Sequence, residues 1–242
     1  MKSILLVALL LCMATKSQAM SPFEQHLKAV SQSTSAFYMY LLSDGDKRYM
    51  RQFRKSIAHA QQSLMASNAS QDLFTRWQTL LPKLTFTSDD EGSLSLLRNT
   101  RFELREYLAD LFLHYQKKTI SNNQINALLD RIHLANLLLA ARALDTVSAD
   151  YGSHINPDLE YSIDQHKVAH QIEQDIKILL RLDIAPHKKV ALRRISSKFT
   201  FLKESLVNYE SKTPYFLLYS NISSINKLLS FNRHTKRVAS HD

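Results

Sequence analysis

Two arginines occupy positions where the helical pattern of the chain calls for apolar side chains. Arg101 interrupts a leucine-rich stripe, and Arg142 lies within the segment LANLLLAARAL. Because arginine stays protonated, a buried guanidinium needs an anionic partner. That partner is an internal carboxylate, or else the carboxylate or phosphate of a ligand held between helices. The internal ion pair is the favoured alternative, and the candidate carboxylates are Asp110, Asp130 and Asp145. An arginine at the edge of its stripe would instead extend its guanidinium into water.

The segment HKVAH offers a candidate metal site. It places His166 and His170 one helical turn apart, with Glu173 in the next turn. Three such side chains on one helical face are of the types that bind zinc or copper. However, Val168 and Ile172 mark the opposite side of this helix as the buried one, and no cysteine completes the site. The pattern therefore favours solvated histidines over a metal site.

A third group of chemically active side chains is a basic cluster in the segment KRYMRQFRK. Its members are Lys47, Arg48, Arg51, Arg54 and Lys55. Interleaved with Tyr49 and Phe53, this basic face could rest on an anionic surface. The favoured interpretation is a solvated face whose aromatic residues turn inward.

Motifs for catalysis are absent from the sequence. Cys12 is the only cysteine, there is no GxSxG segment, and three glycines are too few for a strained nucleophile elbow or a phosphate-binding loop. We therefore expect a protein that is not an enzyme and needs no cofactor. No nucleic-acid-binding motif is present either.

The N-terminus has the pattern of a secretory signal peptide. Lys2 precedes an apolar run, and SQA at 17–19 supplies the small residues that a signal peptidase recognises. Cleavage after Ala19 would remove Cys12 and lower the formal net charge from +9 to +7. We expect a soluble protein, periplasmic or secreted, with no transmembrane segment and with affinity for anionic partners.

Steps of three and four between apolar residues recur through most of the chain and predict helices. The expected ranges are about 22–43, 46–67, 70–82, 90–118, 122–150, 157–182, 187–211 and 214–231, with capping segments at 88–91, 121–124 and 156–157. These predict one all-α domain over 20–231, an antiparallel bundle of about eight helices, with a flexible basic tail at 232–242. Helix length and order suggest an approximate duplication with halves 20–119 and 120–231.

The first helical hairpin resembles a known class of domain. In Ala36–Leu64, a helix ending in YLL is followed by an acidic turn containing Gly45, and then by Tyr49 and Phe53. Gly45 is expected in the left-handed conformation, and Asp44 and Asp46 are expected to cap the next helix. The stretch is similar to the extracytoplasmic helical-bundle sensor domains of chemoreceptors and histidine kinases. That resemblance implies a bundle that binds something and passes the message to a partner.

The sequence therefore predicts an exported, sensor-like binding protein. The expected partner is a small anionic ligand or a protein of the cell envelope, with peripheral membrane contact left open. The alternative is a structural or adaptor bundle without a small-molecule site. The adaptor alternative draws on the aromatic side chains around Tyr215, Phe216 and Tyr219, which exceed what one buried helix face needs.

Overall fold

The computed structural model describes residues 20–85, 91–118, 124–149, 163–208 and 214–234. These residues form eight α-helices and no β-strand, which confirms the all-α prediction. The helices are α1 Pro22–Leu42, α2 Lys47–Met65, α3 Gln71–Leu84, α4 Glu91–Gln116, α5 Ile125–Ala149, α6 Gln165–Arg181, α7 Pro186–Val207 and α8 Tyr215–His234. None of these described helices has the length and apolarity that a bilayer crossing would require.

Helices α1 and α5 hold the bundle together. Helix α1 packs against α2 and α4, α5 packs against α6, α7 and α8, and α1 and α5 pack against each other. In the second group of four helices, α5–α8, the first helix contacts all three others, whereas in the first group, α1–α4, helix α3 packs against α2 and α4. The division into halves 20–119 and 120–231, and their duplication, stay predictions.

Helix α1 is buried on nearly all sides, although its sequence includes the polar run SQSTS. The hydroxyls of Ser31 and Ser35 donate to the carbonyls of Leu27 and Ser31, at 2.8 and 3.0 Å. Thr34 likewise donates to the Val30 carbonyl at 2.9 Å. Because the helix itself satisfies these groups, they can be buried without polar partners elsewhere. Their small volume suits a helix with neighbours on several sides.

Helix α2 is amphipathic, as its periodicity predicts. Its apolar residues at the predicted positions are all buried: Met50, Phe53, Ile57, Ala60 and Leu64. The five cations of the basic cluster are all exposed. The Asp46 side chain accepts a hydrogen bond from the Arg48 backbone N–H at 2.9 Å and so caps the helix, as expected.

The turn between α1 and α2 differs in one detail from the prediction. Gly45 is left-handed as expected, with φ 82°, but Asp44 is also left-handed, with φ 56°. The Gly45 N–H reaches back to the Tyr40 carbonyl at 3.0 Å. Asp44 therefore occupies the left-handed position that directly follows the C-cap Ser43, as in a Schellman motif, and helps to end α1. The N-cap of α2 is Asp46.

Several helix ends differ from the predicted ones. Helix α6 begins at Gln165, where the Asp164 side chain accepts from the Lys167 N–H, instead of near 157. Helix α3 continues through Pro82 to Leu84, two residues beyond its predicted end. Helix α8 includes 232–234, which the sequence predicts as part of the flexible tail. The capping segments at 121–123 and 156–157, most of the one at 88–91, residues 1–19 and residues 235–242 lie outside the described residues.

Candidate functional site

A groove of about 470 Å³ lies between α1, α2, α5 and α8. Helix α1 lines it with Lys28, Gln32 and Ser35, which recur at steps of four and three and so share one face. Helix α8 presents a similar stripe, composed of Tyr219, Ile222, Ser223, Asn226, Lys227 and Ser230. The groove is therefore built where helices from both groups of four meet.

The floor of the groove comes mainly from α5. His133, Leu137 and Ala140 all line it, and each is at least 97% buried. Ile222 of α8 adds a further buried apolar side chain. The floor can thus accept the apolar part of a small molecule, while the walls carry hydroxyl, amide and ammonium groups.

The charges around the groove have one sign. Its described lining contains Lys28 and Lys227 and no aspartate or glutamate. Lys227 is exposed and Lys28 is half-buried, so the two cations lie on opposite helices near the solvent side. An electrostatic environment of this kind favours an anionic group.

Three side-chain contacts join the helices that border the groove. The Tyr219 hydroxyl donates to Oε1 of Gln52 at 2.9 Å, and its ring meets that of Tyr49 edge to face at 5.5 Å. Burial raises the pKa of Tyr219, so this hydroxyl stays protonated and remains a donor. On the other side, Nδ2 of the buried Asn136 donates to Oδ1 of Asn226 at 3.2 Å and joins α5 to α8.

The predicted arginine site lies elsewhere, at the junction of α1, α4 and α5. Arg142 is buried as its position in the stripe predicts, whereas Arg101 is half-buried with its guanidinium 4.6 Å from the Phe102 ring centre. Arg105, one turn further along α4, pairs with Asp145 at 3.5 Å. Neither Arg101 nor Arg142 lines the groove.

The other two candidate carboxylates have other neighbours, whereas Tyr38 of α1 lies beside Asp145. Asp110 pairs with Arg76 of α3, and Asp130 is buried on α5. Burial and the nearby Asp145 carboxylate raise the pKa of Tyr38, which stays protonated. A ligand at Arg101 and Arg142 remains a prediction.

The candidate metal ligands do not converge. His166 and His170 are exposed, and Nδ1 of His170 lies 3.9 Å from Glu173. Both oxygens of Glu173 accept from the Lys203 ammonium at 3.0 Å. Within the described ranges, no group of three or more histidine, cysteine or acidic side chains has metal-binding geometry.

A second cavity, of about 600 Å³, lies at the start of α1. Its lining includes Glu24 and Lys118, which pair with each other at 2.7 Å. It also adjoins the point where residues 1–19 attach. We therefore take the groove, whose described lining contains two lysines and no aspartate or glutamate, as the better candidate site.

The groove residues were not identified from the sequence. Lys28, Gln32 and Ser35 form a polar stripe on a helix that is otherwise buried, and this stripe was the available signal. The sequence around His133 and Lys227 contains no such polar stripe. His133 lies on α5 and Lys227 on α8, and only the packing of these helices with α1 brings the residues to one groove.

The basic cluster lies beside the groove on the outer side of α2. Arg48 binds the Asp46 carboxylate through Nε and a terminal nitrogen, at 2.9 and 2.6 Å. This pair holds the pKa of Asp46 below its usual range, mainly through the Arg48 side chain. The remaining members extend along the exposed face toward the middle of the helix.

Comparison with known proteins leaves the family open. The chain matches no protein-family model, no curated protein and no solved structure. The resemblance of Ala36–Leu64 to sensor domains therefore stays a prediction.

Proposed function

We propose that this protein is an exported binding protein that holds a small anionic molecule in the groove between α1, α2, α5 and α8. The observation that carries the proposal is the composition of the groove, which combines two lysines with hydroxyl and amide groups and no carboxylate in its described lining. Its volume of about 470 Å³ falls in the range that suits a small ligand.

Each type of side chain in the groove has a separate role in the proposed binding. Lys28 and Lys227 would bind the carboxylate or phosphate group as point charges. The amides of Gln32 and Asn226 would fix its orientation through hydrogen bonds. The apolar floor, including Leu137, would hold the remainder of the molecule.

The position of the groove also supports a sensor-like role. Lys28 belongs to the first group of four helices, and Lys227 belongs to the second. A ligand bound to both would favour the arrangement in which α1 and α8 are closest, so that occupancy changes the relation of the two groups. Such a change in the arrangement of the helices would communicate ligand binding to a partner protein.

A thermal-shift screen against phosphorylated metabolites, dicarboxylates and amino acids tests the proposal. A ligand at a hundredfold its Kd should add about 2.7 kcal/mol to the free energy of unfolding. The double variant Lys28→Gln and Lys227→Gln should abolish the shift. So should Ser223→Phe, which fills the groove without changing its charge.

The matched control is Lys177→Gln with Arg181→Gln, two exposed cations on α6 that remove the same net charge. It should retain the shift. A shift that survives both groove variants but disappears in Arg101→Ala or Arg142→Ala would move the site to the arginine junction and contradict the groove assignment.

Export is tested separately. Mass spectrometry of the protein from the periplasm or the medium should show Met20 as the first residue. A chain that keeps Met1 and remains in the cytosol would contradict the proposed location.

A further inference from the structure

The outer face of α2 carries charge of one sign only. The helix contains five exposed cations in its first half, at Lys47, Arg48, Arg51, Arg54 and Lys55, and no aspartate or glutamate along its length. The adjacent acidic side chain is Asp46, at the N-cap, which Arg48 binds. Arg51 and Lys55 lie one turn apart near the middle of this face.

An exposed apolar edge lies beside this basic face. The contacts of Tyr219 with Gln52 and Tyr49 place the start of α8 against the first half of α2. One turn before Tyr219, Phe216 is 57% exposed, and the neighbouring Leu217 is 39% exposed. Leu217 lies on the opposite side of α8 from Tyr219, so Phe216 is the exposed apolar side chain that borders the basic face. A basic helix face bordered by an exposed aromatic residue is a combination that peripheral proteins place at a lipid interface.

We infer that the basic face of α2, together with Phe216, docks on the surface of an anionic lipid bilayer. A headgroup layer presents negative charge continuously, so cations such as Arg51 and Lys55 contribute without needing a partner at a fixed position. The apolar edge enters the boundary between headgroups and acyl chains.

An acidic protein is the competing occupant. Protein interfaces fix their register through specific charge pairs and a central buried cluster. The face of α2 instead consists of long exposed cationic side chains, with Phe216 at one border. These features fit a fluid surface better than a single docked protein.

Docking would also orient the binding groove. Gln52 lines the groove and lies within one turn of both Arg48 and Lys55. The groove therefore opens beside the proposed docking face, although the docking itself does not depend on a groove ligand.

Co-sedimentation of the purified protein with lipid vesicles tests the inference. The protein should bind vesicles containing about one-third phosphatidylglycerol and should not bind vesicles of phosphatidylcholine alone. Binding should weaken strongly in about 1 M salt, where the Debye length falls to about 3 Å. Arg51→Gln with Lys55→Gln should lower the partition coefficient by about fivefold for each cation, or about 25-fold in all.

The matched control is again Lys177→Gln with Arg181→Gln, which removes two exposed cations at the same spacing from a different face. It should bind almost as well as the unchanged protein. Phe216→Ser should weaken the part of the binding that persists in high salt. Any contribution from residues 1–19 is common to all variants and cancels in these comparisons.

Three results would overturn the inference. One is the absence of binding to anionic vesicles, which would leave an acidic protein as the occupant. Another is equal binding to the neutral vesicles. The third is an equal loss in the α2 variant and the α6 control, which would show that net charge acts without a defined face. Circular dichroism confirms that each variant retains its helices.

Discussion

At the residue scale, His26 shows how burial fixes a side chain's protonation. It has no exposed surface, and its Nδ1 and Nε2 lie 2.8 Å from the Ala60 carbonyl and the Tyr107 hydroxyl. Because a carbonyl can only accept, Nδ1 donates to Ala60, and Nε2 accepts from Tyr107. The ring also meets Trp77 edge to face at 5.0 Å. Both nitrogens of the neutral His26 ring therefore have a hydrogen-bond partner within the core.

This residue predicts a loss of stability in acid. Burial lowers the pKa of His26 from 6.5 to about 4. Between those values the unfolded chain binds a proton that the folded chain does not, so the free energy of unfolding falls as the pH falls. The full effect is roughly 3 kcal/mol. Urea denaturation between about pH 4 and pH 6.5 measures it.

The variant His26→Gln should lose this part of the pH dependence, because glutamine does not titrate. His170→Gln is the control for replacing a histidine by glutamine, since His170 is exposed and lies outside this core contact. An identical slope in His26→Gln and the unchanged protein would contradict the assignment.

At the element scale, the turn between α1 and α2 depends on two left-handed residues, Asp44 and Gly45. The expected effect of Gly45→Ala is a loss of roughly 1 kcal/mol of stability, the cost of a left-handed L-residue. The added Cβ would lie 3.7 Å from the Tyr40 hydroxyl oxygen, an ordinary contact, so the cost is one of backbone conformation. Chemical denaturation measures the loss.

Asp44→Asn provides the comparison, because asparagine also tolerates this conformation. Its effect should remain within about 0.5 kcal/mol. If Gly45→Ala proved equally mild, the left-handed turn would not be what limits this connection.

At the scale of the whole molecule, packing of α1 against α5 couples the two groups of four helices. We expect one unfolding transition for both. Phe199 of α7 is buried in the second group, and Phe199→Ala should cost about 3–5 kcal/mol. Trp77, the only tryptophan of the chain, lies in the first group. If the two groups unfold together, Trp77 fluorescence should show the whole loss of stability that Phe199→Ala causes.

The measurement compares Trp77 fluorescence with far-ultraviolet circular dichroism during urea unfolding. Coincident midpoints in the unchanged protein and in Phe199→Ala would show cooperative unfolding. A Trp77 midpoint that stays in place while the dichroism transition splits would show that the groups unfold independently.

Local signals account for the parts of the structure that could be predicted. The buried face of α2, its Asp46 cap and the left-handed Gly45 all follow from side chains within one or two turns of each other. The boundary of α6 was missed because the Asn156–Pro157 signal was favoured over the Asp164 cap that the structure uses. The pairing of Asp145 with Arg105 depends on how α4 is set against α5, which no local pattern specifies.

The sequence by itself determined the fold class, most helices and the exposed basic face of α2, because helical periodicity and capping act over a few residues. Tertiary structure alone decided that α1 and α5 are central and that Lys28, His133 and Lys227 border one groove. These residues are separated by many turns of chain. Their approach depends on the packing of whole helices, which is a property of the assembled bundle and not of any single segment.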